Sequence, residues 1–213
     1  MPAEKDRMAA QKSDMPFQRL SKEEISACPL VRWQGPIRLI RTPEEMTEAV
    51  QVLELENLLG FDTETRPSFR KGESYPPALL QLAGAREVFI FQLPRLGLPE
   101  PLRSILAAPG IVKAGVAPSH DLRELRKLAP FEPAGFVDLS RLAKQTGIKN
   151  HGLRGLTAVL LGCRIAKGAR TSNWARDDLS AKQLDYAATD AWLGRELYLK
   201  LVQLRRGDSS PAE

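Results

Sequence analysis

The sequence is poor in the residues that build thiolate and imidazole sites. Only Cys28 and Cys163 occur, far apart and without C-x-x-C spacing, which argues against a zinc ribbon, a redox pair or a disulfide framework. A reducing, cytoplasmic setting is the expectation from that scarcity. His120 and His151 are the whole histidine supply, too few for sites that place two or three imidazoles on one ion. Any metal is therefore expected on oxygen ligands. No apolar run approaches the roughly 18 residues of a membrane span, and the first stretch, MPAEKDRMAAQKSD, is charged where a secretion signal is apolar. No membrane partner is expected.

What is present suits one folded unit. With 213 residues, 43% of them hydrophobic, the chain can bury the core of a single domain with some tail. Lys and Arg (31) exceed Asp and Glu (26), giving +5, a mild excess compatible with a polyanionic partner but no proof of one. Residues 1–28 mix both charge signs and read as a mobile N-terminal tail with a short helix around Ser21 to Ser26, and 205–213 read as a C-terminal tail. Between them, 30–204 form the expected domain. Short β-rich runs lie at 37–41, 59–63, 78–82, 88–91, 111–115 and 136–139. Helical patterns fill 42–58, 102–107 and 121–128 and dominate from 140 onward, ending in a long helix from Ser180 to about Leu204. Thr42-Pro43-Glu44-Glu45 carries a helix start, with a capping hydroxyl, proline in the first turn and acids at the positive end of the dipole. Strands interleaved with helices imply a mixed sheet flanked by helices.

Three acidic segments stand out. Asp62 and Glu64 lie two apart at the end of an apolar strand, so strand period points both carboxylates to one face and Thr63 to the other. Such a pair repels unless a cation neutralises it or one group keeps its proton. Tyr186 and Asp190 lie four apart on the long helix and share a face, with Ala187, Ala188 and Ala191 around them small enough to let a sheet approach. Asp121 sits in the first turn of a helix after the strand IVKAG. Each segment also has an ordinary reading: a solvated strand end, a buried tyrosine with a surface acid, and an acid favoured by a helix dipole.

Taken together, FDTET at 61–65, KAGVAPSHDL at 113–122 and YAATD at 186–190 resemble the three motifs of the DEDD 3′-to-5′ exonuclease superfamily, in the DEDDy branch of ribonuclease D and the Werner-type exonuclease domain. SNWARDDLSAKQLDYAA, ALLQLAG and GLRGLTAVLLG add secondary likeness, and the resemblance runs in order from about 36 to 202. It implies an α/β ribonuclease-H-like fold with a five-stranded mixed sheet flanked by helices. It also implies hydrolysis of terminal phosphodiesters at a free 3′ end, releasing nucleoside 5′-monophosphates, with two Mg²⁺ or Mn²⁺ ions about 3.5–4 Å apart clamping the reacting phosphate. By the family pattern Asp62 bridges both ions, Glu64 and Asp190 complete the first site, Asp121 supports the second, and Tyr186 orients the attacking water. Longer ribonuclease D proteins carry helical HRDC modules after this domain; here the chain ends soon after the third motif, so their grip on RNA is expected to be missing or replaced by oligomerisation.

The expected partner is single-stranded RNA or DNA, including short oligonucleotides, with RNA favoured on the ribonuclease D likeness. Residues 141–170 hold seven basic side chains and no acid, a concentration suited to a phosphate backbone. Lys167, Arg170 and Asn173, just before the third motif, are the expected phosphate contacts. Trp174 has two open readings, stacking on a base or anchoring its loop from within. Two rivals remain: a fold-sharing nucleic-acid-binding protein without chemistry, and a DNA-repair exonuclease.

Overall fold

Caps and small residues set this architecture. A computed structural model describes residues 19–70, 72–166 and 171–207. Side-chain caps open the helices where the sequence places them. Thr42 begins α2 (Pro43–Leu53): its hydroxyl accepts from the Glu45 amide at 3.3 Å, while the Glu45 carboxylate accepts from the Thr42 amide at 3.1 Å. Ser180 and Gln183 make the same reciprocal pair at the start of the long C-terminal helix α8 (Ala181–Arg206). Each such box satisfies two amides that the first helical turn would leave unpaired.

Six strands form one sheet: β1 (Ile37–Ile40), β2 (Leu58–Thr65), β3 (Pro77–Ala83), β4 (Val88–Gln92), β5 (Val112–Gly115) and β6 (Phe136–Asp138), in the order β1-β4-β3-β2-β5-β6. The five-stranded expectation is thus corrected to six, the three-residue β6 pairing parallel to β5 as the outermost strand. β2 runs antiparallel to β3 and parallel to β5, which places it inside the sheet. One face of β2, with Leu59 and Phe61, packs with Leu80, Phe89 and Phe91 against α2, the short α4 (Glu100–Ala107) and α5 (Ser119–Leu128). The other face meets α8, supported by α6 (Leu139–Gln145) and α7 (Leu153–Leu161) through Leu139, Leu156, Leu197 and Leu201. The short α3 (Leu93–Leu96) follows β4. Among the described residues no helix is long and apolar enough to cross a membrane.

The part of the expected N-terminal tail that is described, 19–28, holds a defined place on the domain. A capping box on Ser21 opens α1 (Lys22–Ala27), and the Asn150 carboxamide bonds both backbone groups of Leu20, at 2.9 and 3.1 Å. Beyond it the Arg164 backbone pairs with Pro29 and Val31 at 2.8 Å each. Polar backbone groups found partners here that composition alone does not reveal.

α8 crosses β2 so closely that side chains are excluded from the contact. A Cβ on Gly194 would stand 2.6 Å from the Ala114 carbonyl oxygen, and one on Gly60 would run into the Ala191 carbonyl. Ala187, Ala188 and Ala191, all buried, continue the seam. Gly60→Ala is therefore expected to destabilise the fold by about 2 kcal/mol or more, because backbone and not a flexible side chain must move. Urea denaturation monitored by circular dichroism measures this.

Candidate active site

The two faces of β2 carry different parts of the site. Asp62 and Glu64 point towards α8, where Asp190 meets them: one oxygen of each of the three carboxylates lies within 4.8 Å of the others. Glu64 and Asp190 are buried and Asp62 is partly open. Together they border a cleft of about 410 Å³ between Phe61–Glu64, the α8 residues Tyr186, Asp190 and Gly194, and Val116 and Leu153.

Asp121 lies outside this trio. It rises from the first turn of α5, on the Thr63 side of the strand, where the Thr63 hydroxyl donates to its carboxylate at 2.7 Å. Thr63 thus joins the two halves, its amide donating to Asp62 at 3.0 Å while its hydroxyl holds Asp121. The loop feeding α5 is held in turn by Asp138, whose carboxylate accepts from the Ala117 amide at 3.0 Å and caps α6 through the Ser140 amide at 2.9 Å. Ala117 has φ 54°, a left-handed conformation that this bond supports.

Crowded and largely buried acids titrate abnormally. Burial, followed by the charges of Asp190 and Asp121, raises the Asp62 carboxyl well above its usual range, opposed by the Thr63 amide. Burial pushes Asp190 up to about 7 against the favourable Tyr186 hydroxyl. Asp121 is raised as well, again by burial first, with the Thr63 hydroxyl and His120 opposing. Burial and then the charges of Asp190 and Glu64 drive the Tyr186 phenol upward, which favours its protonated form.

These features fit a hard divalent cation. Three carboxylates converge, no nitrogen or sulfur ligand joins them, and the buried Asp190 Oδ1 has no hydrogen-bond partner among the described residues. All-oxygen donors favour Mg²⁺ or Mn²⁺ over zinc.

The expected substrate contacts fare differently. Lys167 and Arg170 lie outside the described residues. Asn173 is exposed, but its side-chain oxygen accepts from the Ala175 amide at 3.2 Å and its carbonyl from Gln183 at 3.3 Å, which ties down the loop before α8. Trp174 corrects the stacking expectation: it is fully buried, its ring 6.0 Å from that of Tyr186, and it braces the site from within. Two residues were missed. Strand alternation puts Thr63 on the face of the helix that carries Asp121, a signal available but unused. Gln81, fully buried and directly opposite Asp62 in the β2–β3 register, has no partner for either side-chain polar atom among the described residues; an apolar strand context concealed it.

A mixed sheet whose inner strand ends in paired acids, completed by an acid from a helix packed across it, defines the ribonuclease-H-like exonuclease class. Comparison with known proteins specifies the family: residues 37–204 match that of the 3′-5′ exonuclease domains. Exonuclease 3′-5′ domain-containing protein 2 of Drosophila melanogaster is 34% identical over 194 residues, covering 83% of this chain and 33% of the relative. Ribonuclease D of Haemophilus influenzae is 26% identical over 189 residues, covering 87% and 46%. The crystal structure of Escherichia coli RNase D superposes with a TM-score of 0.71 at 22% identity, over 80% of this chain and 45% of that one. The chain belongs to the 3′-5′ exonuclease family. It spans about a third of the Drosophila relative and under half of the Haemophilus one.

Stability should report the crowded charge. Because burial raises Asp62 and Asp190 above their unfolded range, the native state binds more protons than the unfolded chain between about pH 4 and 7. In EDTA the melting temperature is expected to fall as pH rises through that window. Mg²⁺ or Mn²⁺ should restore more at pH 8 than at pH 5, since the cation competes with protons. Differential scanning fluorimetry at both pH values checks the sign.

Proposed function

We propose that this chain is a divalent-cation-dependent exonuclease that hydrolyses the terminal phosphodiester of a nucleic acid strand, RNA in preference to DNA, and releases nucleoside 5′-monophosphates from the 3′ end. The observation that carries the reading is the convergence of Asp62, Glu64 and Asp190 on one point in a cleft that Tyr186 also lines. The preference for RNA rests on the likeness to ribonuclease D.

Two Mg²⁺ or Mn²⁺ ions would supply charge neutralisation at the phosphate and a more acidic water. Asp62, Glu64 and Asp190 would hold the first ion, with Asp62 shared towards the second and Asp121 supporting that one from the far side of the strand. Thr63 fixes Asp121 beside the site, its hydroxyl donating to one carboxylate oxygen. Tyr186, whose hydroxyl bonds the Asp190 carboxylate, would orient the attacking water rather than take its proton. Trp174 and the small-residue seam keep the Tyr186–Asp190 edge of α8 at a fixed distance from β2.

Incubation of 5′-labelled single-stranded RNA and DNA with Mg²⁺ or Mn²⁺ should give a ladder shortening from the 3′ end, with RNA consumed faster. No shortening with either ion would refute the proposal. Asp62→Ala should lower the rate by at least about 100-fold while preserving the fold. Tyr186→Phe should lower kcat by about 100-fold, leaving KM near the parent value, because a water-orienting hydrogen bond acts in the transition state. A fully active Asp62→Ala enzyme would sink the assignment of the ligands.

A further inference from the structure

Beside the catalytic cleft lies a second one, of about 530 Å³, between the N-terminal arm and the start of α7. Arg19 and Lys22 line it from the arm, and Lys149 and His151 from the loop before α7; among the described residues no acidic side chain lines it. Arg154 and Lys22 border the adjoining depression. All four Lys and Arg side chains are exposed, and among the described residues none of them forms an ion pair or a hydrogen bond. Elsewhere cations are neutralised where acids are near, as in Arg38–Glu48, Arg126–Glu132 and Lys127–Glu124 at 2.8–2.9 Å. The Glu24 carboxylate is engaged by backbone, accepting from the Ser21 amide at 2.7 Å.

Gly152 lines the basic cleft and Leu153 the catalytic one, so successive residues at the start of α7 border the two. A strand whose last phosphodiester sits at the carboxylate trio reaches the basic cleft if its upstream phosphates leave past Leu153. Exposed cations without counter-charges lose little on meeting a phosphate backbone and gain from counterion release.

We propose that the arm–α7 cleft is the track for the phosphate backbone of a single-stranded nucleic acid upstream of the scissile bond, with Arg19 and Lys22 of the N-terminal arm as strand contacts alongside Lys149 and Arg154. This rests on the exonuclease reading and extends it, because the arm becomes part of the substrate surface. The Asn150 bonds to Leu20 anchor it there. The consequence is a length preference: strands long enough to reach the cleft bind more tightly than dinucleotides.

The test compares two double variants with equal loss of charge, Arg19→Gln/Lys149→Gln in the track and Arg38→Gln/Arg126→Gln away from it. Binding of a fluorescein-labelled single-stranded RNA oligonucleotide is followed by anisotropy in EDTA across a salt series, and KM is measured with Mg²⁺ for the oligonucleotide and for a dinucleotide. The track variant should bind the oligonucleotide roughly tenfold more weakly, with the slope of log affinity against log salt reduced by about 1.4 for two lost phosphate contacts. Its KM advantage for the longer strand should shrink in proportion. Equal weakening in both variants would show a net-charge effect and overturn the track while leaving the exonuclease reading intact. A parent protein that neither binds nor shortens any strand would overturn both. Lys22→Gln/Arg154→Gln repeats the measurement, so that a folding defect in one pair, visible as a lowered melting temperature, does not decide the outcome.

Discussion

Everything at the site depends on how closely one helix can lie against one strand. Carboxylates on a strand and on a helix share a ligand point only when the two backbones approach nearer than ordinary side chains allow. Gly60, Gly194 and the buried alanines of α8 remove those side chains, to the extent that a Cβ at either glycine would meet a carbonyl oxygen. The same seam that forbids a methyl group brings Asp190 to Asp62 and Glu64. Packing and function here are one constraint, and burial of Leu193, Leu197 and Leu201 further along α8, worth roughly 1.5–3 kcal/mol each, holds it closed.

The acids act against that closure. Two of the three trio carboxyls have proton affinities raised by burial, and Asp62 is raised further by Asp190 and Asp121. A protein that gained only stability from this region would replace one acid with an apolar side chain, since buried like charges cost free energy without a cation to offset them. Hydrogen bonds limit the cost where they can: the Thr63 amide serves Asp62, and its hydroxyl serves Asp121. Asp190 Oδ1 and both polar atoms of Gln81 have no such partner among the described residues, so the polar shell around Asp62 is incomplete within the protein itself.

Period-two and period-four spacing sufficed to put Asp62 with Glu64, and Tyr186 with Asp190, on common faces, because those rules act within one element. Capping boxes at Thr42 and Ser180 were equally readable, being local hydrogen-bond chemistry. Relations between elements were not. That Asp121 reaches the site through Thr63, that Trp174 is buried behind Tyr186, and that Asn150 captures Leu20 all depend on the paths of distant segments. The same holds for β6, whose three residues carry too little periodicity to show their pairing, and for 19–28, whose mixed charges resemble those of a solvated tail although their backbone groups are bonded to the domain.

Charge is arranged in opposite senses on the two sides of Leu153. An anionic pocket alone would repel a phosphodiester, and a cationic groove alone would hold one anywhere along its length. Under the proposed reading the two would give a bound strand a direction: the track would attract phosphates without selecting among them, whereas the carboxylate pocket would accept one only when cations invert its sign. The two contributions then respond to different variables. Attraction along exposed side chains weakens with ionic strength, because the Debye length falls to about 8 Å near physiological salt. The buried trio is screened far less and follows divalent ion and proton concentration instead. Under that reading position along the strand and chemistry at its end would be under separate control, although Gly152 and Leu153 are neighbours in the chain.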